Sequence, residues 1–92
     1  MPPATPCTAV PAAIPTPPTA ADYMPCDARL IAPLPATLSF RKAAALPLVT
    51  LTAWEGLFDK GRIDERDHVL VHGATGGVGH VGLQLAAWNG CT

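Results

Sequence analysis

Charge and aromatic side chains are scarce in this 92-residue chain, and its cysteines have no pairing pattern. Only 14% of the residues are charged, 6 basic against 7 acidic, for a net charge of -1. Without a basic cluster the chain has no electrostatic footprint for nucleic acid or an anionic membrane. Cys7, Cys26 and Cys91 are odd in number and form no CxxC pair, which speaks against a disulfide framework and a zinc ribbon alike. Reduced thiols are expected. No apolar run approaches the roughly 20 residues of a membrane span. The prolines from Pro2 to Pro18 break up any secretory leader, and the same stretch lacks the arginine of a transit peptide. A cytoplasmic protein with a small-molecule partner is expected. At 92 residues, one small and marginal core is the most that the length allows.

Proline is what the chain has in excess, 11 residues of it, concentrated in the first third. Residues 1–19 consist mainly of Pro, Ala and Thr, carry no charge, and read as a disordered or polyproline-like arm. A PxxP ligand is the alternative, but the arm has no flanking Arg or Lys. From residue 20 onward Asp22, Tyr23, Asp27 and Arg29 bring the side chains of a folded surface. Leu30-Ile31-Ala32 predicts a short strand ended by Pro33 and Pro35. Ser39 is a good N-cap for a short helix over 40–46, limited by Pro47. Leu48, Leu51, Trp54, Leu57 and Phe58 then recur at helical spacing, with Gly61 as the stop. Gly56 suggests a close helix contact. Residues 62–67 are a polar connection, and His68-Val69-Leu70-Val71-His72 reads as a buried parallel strand.

A glycine turn follows that strand at once: Gly73-Ala74-Thr75-Gly76-Gly77-Val78-Gly79. Beyond it Val78, Val81, Leu85 and Trp88 lie at helical spacing, and Asn89-Gly90 supplies a stop. The order strand, glycine turn, helix is what pyrophosphate binding requires, because the free N–H groups and dipole of a helix N-terminus both favour negative charge. In G-x-G-x-x-G the first small residue makes the turn, the second lets backbone reach the pyrophosphate, and the third lets helix pack on strand. Ala74, Gly76 and Gly79 take these places here, with Gly73 and Gly77 offsetting the alanine. A mononucleotide P-loop is excluded because no Lys follows Gly79. A glycine-rich connection without a ligand is the plainer alternative. The fold class expected is α/β: a partial Rossmann unit of first strand, glycine turn and helix, preceded by a linking helix and the Pro-rich arm.

Ala44-Ala45-Leu46-Pro47-Leu48 through Thr52-Ala53-Trp54-Glu55-Gly56-Leu57, with Val69 through Gly79, resembles the medium-chain dehydrogenase/reductase superfamily. Within it the likeness is to quinone oxidoreductases of the zeta-crystallin type and zinc-type alcohol dehydrogenase-like proteins. The resemblance runs from about Ala20 to the end and implies three parts: the arm at 1–19, a remnant of the GroES-like catalytic domain's edge at 20–38, and the start of the dinucleotide-binding domain at 39–92. It implies that Gly76, Gly77 and Val78 present N–H groups to the pyrophosphate of NADPH or NADH, with Ala74 and Gly79 shaping the turn. Thr52 resembles the family's threonine that approaches the cofactor; a threonine bonding its own helix backbone is the equal alternative. Trp54 reads as core rather than as substrate wall.

The resemblance also implies hydride transfer from nicotinamide to a quinone or enone, the cofactor supplying the difficult chemistry. The zinc-dependent branch has a cysteine near the position of Leu48, so no zinc is expected. His68 and His72 share a strand face with Leu70 but lack a third ligand, and His80 reads as a polar surface residue, with proximity to phosphate as the alternative. No catalytic residue is assigned. The acidic residue that reads the ribose belongs roughly 20 residues past the turn, which leaves NADPH and NADH equally open. These features predict an enzyme fragment, inactive alone, whose homo-oligomer would belong to the complete protein. The alternative is a non-catalytic remnant or interaction module that binds nucleotide weakly.

Overall fold

The computed structural model of the chain describes residues 7–9, 22 and 27–92. The chain divides into two compact units, Met1–Pro47 and Leu48–Thr92.

In the first unit the Asp27 carboxylate accepts the Arg29 backbone N–H at 2.9 Å and pairs with its guanidinium at 2.6 Å, capping a 3-10 turn over Ala28–Leu30. That guanidinium, followed by the backbone N–H, holds the Asp27 carboxyl below its ordinary value. The turn leads into strand β2, Ile31–Pro33, which pairs antiparallel with β1, Cys7–Ala9, in the register Thr8↔Ala32. A strand inside 1–19 departs from the expectation of a structureless arm. Its cause is local: residues 7–10 are the longest proline-free stretch between Pro2 and Pro18, so their N–H groups are available to a ladder. The remainder of the arm, and Tyr23, lie outside the described residues. Helix α1, Phe40–Ala44, starts as predicted, with Ser39 Oγ accepting from Lys42 N–H at 3.3 Å, and it buries Ala43. The units divide at Pro47–Leu48, so α1 groups with the residues before it.

Helix α2, Pro47–Trp54, belongs to the second unit from Leu48 onward and has proline at its first position, where the missing N–H costs no helical bond. The helix continues over Glu55–Lys60 with wider, π-type turns: the Gly61 N–H reaches five residues back to Gly56 O at 2.9 Å, and the Ile63 N–H reaches Leu57 O at 3.1 Å. Gly61 does end the helix, but the residue in the left-handed region is Arg62, at φ +50°. The predicted apolar stripe is only partly the packed face. Leu48, Leu51 and Trp54 are exposed, with the Trp54 ring tilted at 44° against Phe58, 4.4 Å between ring centres, while Ala53 is buried.

Helix α3, Gly77–Trp88, packs on α2 through its small residues. A side chain at Gly77 would meet Val49 Cγ1 at 3.2 Å, and one at Gly82 would meet Ala53 Cβ at 3.9 Å. Contacts that advance together, 49 to 77 and 53 to 82, mean that the two helices run in the same direction. Val81, Gly82 and Ala86 are buried, whereas Val78 and Trp88 are exposed, so close approach rather than side-chain size decides the face. Gly56, expected at a close contact, faces open space; Gly77 and Gly82 occupy the contact instead. Helix α3 ends in a Schellman motif, with Gly90 at φ +91°, its N–H on Ala87 O, and the Cys91 N–H on Ala86 O.

Residues 68–72 form no ladder of their own, because a parallel strand needs a neighbour on at least one edge. They alternate as a strand does, with Val69 and Val71 half-buried and His68, Leu70 and His72 exposed. The Thr92 N–H donates to Asp67 O at 3.1 Å and the Val69 N–H donates to Thr92 O at 2.9 Å. That pair of bonds is the opening rung of a parallel ladder, closed across α3 as in a β-α-β unit.

Candidate cofactor site

The glycine segment is built from its first residue. Gly73 takes φ +69°, the only positive φ between residues 73 and 79, and its carbonyl accepts the Gly76 N–H at 2.9 Å to close a tight turn. The left-handed residue is thus Gly73, so Ala74 occupies the first fingerprint position without strain. Gly76 is extended, at φ -79° and ψ 170°, and is the N-cap of α3 without any side-chain cap. The first helical bond runs from the His80 N–H to Gly76 O at 3.0 Å, which leaves the N–H groups of Gly77, Val78 and Gly79 with no carbonyl inside the helix. No acidic side chain stands in the first turn, so the positive end of the helix dipole is uncompensated.

Sterics at the glycines are specific. A Cβ on Gly79 would fall on the Gly73 carbonyl oxygen, 2.8 Å from its carbon and 3.0 Å from Ala74 Cα, all fixed backbone. A Cβ on Gly76 would sit 3.3 Å from the same oxygen. Gly79 therefore allows helix to approach strand, and Gly76 keeps the mouth of the turn clear. A group that is anionic, compact and satisfied by backbone N–H donors fits this cradle, as a pyrophosphate does.

Thr52 lies exposed on α2, and its hydroxyl donates to Leu48 O at 2.9 Å, the backbone-bonded arrangement weighed from the sequence. Its lone pairs are still able to accept. His68 and His72 are exposed, and among the described residues no group of three His, Cys, Asp or Glu side chains is placed to hold a metal ion. Nor is any helix among them long and apolar enough to cross a membrane. One participant escaped the sequence reading, and a second was given there only a surface role or proximity to phosphate. Val49 meets the turn at Gly77, and the Val49/Ala53 pair, four residues apart and opposite two glycines, was the signal that could have identified the helix seam. The second is His80, whose ring Nδ1 lies 3.0 Å from Gly76 O.

No family model matches the chain. The solved structure of an alcohol dehydrogenase superfamily protein from Novosphingobium aromaticivorans is 50% identical, with a TM-score of 0.70 over 72% of this chain and 20% of that one. Over that span the chain has the fold of the medium-chain dehydrogenase/reductase superfamily. The CurK enoyl reductase structure, 40% identical with a TM-score of 0.64, matches 67% of this medium-chain segment and 19% of its own chain. Highly-reducing polyketide synthase 1 of Aureobasidium melanogenum is 45% identical over 64 residues, which are 70% of this chain and 3% of that protein. The medium-chain segment thus spans about a fifth of the solved structures and a few per cent of the synthase. Its partial Rossmann architecture of turn and helix agrees with the fold class read from the sequence.

Proposed function

We propose that this chain supplies the pyrophosphate-binding turn of an NAD(P)H-dependent reductase that adds hydride to an enoyl acceptor. The observation that carries the reading is the turn itself, where Gly79 excludes any side chain beside Gly73 O and three adjacent N–H groups lack helical partners. Gly77, Val78 and Gly79 would donate to the phosphates; Gly76, expected from the resemblance to donate as well, has its N–H committed to Gly73 O at 2.9 Å and would instead keep the approach open, and Ala74 would complete the bend. Thr52, whose proton is committed to Leu48 O, would serve as an acceptor toward the cofactor. When bound, the nicotinamide supplies the hydride. Of the quinone and the enone that the sequence resemblance implied, the enoyl reductase likeness favours the enone-like enoyl acceptor.

Amide NMR of the 15N-labelled protein tests the site. Titration with NADPH or NADH should shift Gly77, Val78 and Gly79 most, and adenosine, which has no phosphate, should leave them in place. Equal responses to adenosine would defeat the assignment. The 92-residue polypeptide alone should bind without turnover. A complete reductase carrying this segment should oxidise NADPH faster with a 2-enoyl thioester than with a quinone; the reverse order would restore the quinone reading.

A further inference from the structure

Gly76 O accepts two hydrogen bonds from one residue: the His80 backbone N–H at 3.0 Å and the His80 ring Nδ1 at 3.0 Å. A carbonyl oxygen can only accept, so a hydrogen bond at this distance requires the ring proton on Nδ1. The ring reaches its place because helical side chains lean toward the N-terminus, over the preceding turn. Gly76 C=O and Gly77 N–H are the two ends of one planar, trans peptide. Holding the oxygen into the helix therefore directs the Gly77 N–H out past the helix start, toward the mouth of the glycine turn. No side-chain cap restrains Gly76, and glycine on both sides of the peptide makes it the most freely rotating plane in the segment. A carbonyl that already accepts hydrogen bonds also polarises its own peptide and strengthens the N–H as a donor.

We infer that His80 is a positioning residue of the phosphate turn: it clamps the Gly76–Gly77 peptide so that the Gly77 N–H is aimed in advance at an incoming diphosphate. This rests on the cofactor reading above and adds a side chain to a site otherwise made of backbone. The remainder of the His80 surroundings is consistent with this role, since Gln84 Nε2 donates to His80 O at 3.0 Å and holds the same turn of helix from below.

The test uses the full 92-residue chain, with NADPH as the probe and three proteins: wild type, His80→Ala and His80→Asn. Asparagine keeps a side-chain N–H donor at the reach of Nδ1. Ring 15N spectra of wild type should show the Nδ1-protonated tautomer. His80→Ala should bind NADPH about three- to tenfold more weakly, the range that one lost hydrogen bond gives, and its Gly77 amide should respond less. His80→Asn should recover most of the affinity. Far-UV circular dichroism at matched temperature reports whether α3 itself is intact, and helical content should be equal in all three. An Nε2-protonated ring, or unchanged affinity in His80→Ala, overturns the inference while leaving the cofactor site standing. Weakening that His80→Asn does not rescue also overturns it. If wild type gives no response at Gly77, Val78 and Gly79, the cofactor reading falls and the inference falls with it.

Discussion

Two alanine substitutions three residues apart in α3 form a controlled experiment on the glycine turn. Gly79→Ala and Gly82→Ala place the same methyl group in the same helix, so both gain the same intrinsic preference of about 1 kcal/mol for alanine over glycine. They differ in what the methyl meets. At Gly82 the nearest atom is Ala53 Cβ at 3.9 Å, an ordinary contact, so the propensity gain should survive. At Gly79 the methyl would strike Gly73 O, the oxygen that closes the turn with the Gly76 N–H, and would crowd two further backbone atoms within 3.0 Å. Backbone cannot swing aside as a side chain can, so overpacking costs about 1–3 kcal/mol. Because the propensity terms cancel, Gly82→Ala should be more stable than Gly79→Ala by about 1–3 kcal/mol. For a domain of this size each kcal/mol moves the melting midpoint by roughly 4–8 °C. Thermal unfolding followed by far-UV circular dichroism reads the difference. Equal midpoints, or a higher one for Gly79→Ala, would refute the claim that helix and turn meet too closely there for a side chain.

Other consequences can be checked one at a time. Arg62, at φ +50°, bears the left-handed penalty of about 1–2 kcal/mol, part of which glycine returns as unfolded-state entropy. Arg62→Gly should therefore raise stability by about 0.5–1 kcal/mol in urea unfolding, and a loss would contradict the cap geometry. Gly76→Val, with its Cβ 3.3 Å from Gly73 O at the start of the phosphate turn, should weaken NADPH binding about fivefold to a hundredfold, given an overpacking cost of about 1–3 kcal/mol. Unchanged affinity in a fluorescence titration would count against the turn as the binding element. The folded Asp27 carboxyl titrates below its unfolded value, so its contribution is complete above about 3.9 and is lost as pH falls through the lower folded value. Removing its partner with Arg29→Ala should raise the NMR midpoint of Asp27, and an unmoved midpoint would exclude the ion pair as the cause.

Local rules made much of this structure legible in advance. Ser39, Pro47, Gly61 and Asn89-Gly90 mark helix boundaries through missing donors, capping oxygens and backbone freedom, all of which act within a few residues. The glycine turn was legible for the same reason. Packing faces were not. Hydrophobic spacing pointed to Leu48, Leu51 and Trp54, yet the seam between α2 and α3 lies at Val49, Ala53, Gly77 and Gly82, where small volume counts for more than apolar area. The pairing of Cys7–Ala9 was hidden by the surrounding prolines, and the His80 bond to Gly76 has no signature in composition, since a histidine near a helix start is ordinarily solvated.

The rung that joins Asp67, Val69 and Thr92 also constrains the order of folding. It links residues some two dozen positions apart, and the Cys91 thiol adds a bond of similar span to Asp64 O at 3.0 Å. An unfolded segment of that length would give up considerable entropy to bring its ends together. Once α3 has wound, its 12 residues rise only about 1.5 Å each, less than half of what the same residues span when extended, and the distance to be closed shortens accordingly. Helix winding takes on the order of a microsecond or less, so the crossover is shortened before the rung is made. The amide protons of Val69 and Thr92 should be the last in this unit to gain protection, and the first to exchange when the end of α3 frays.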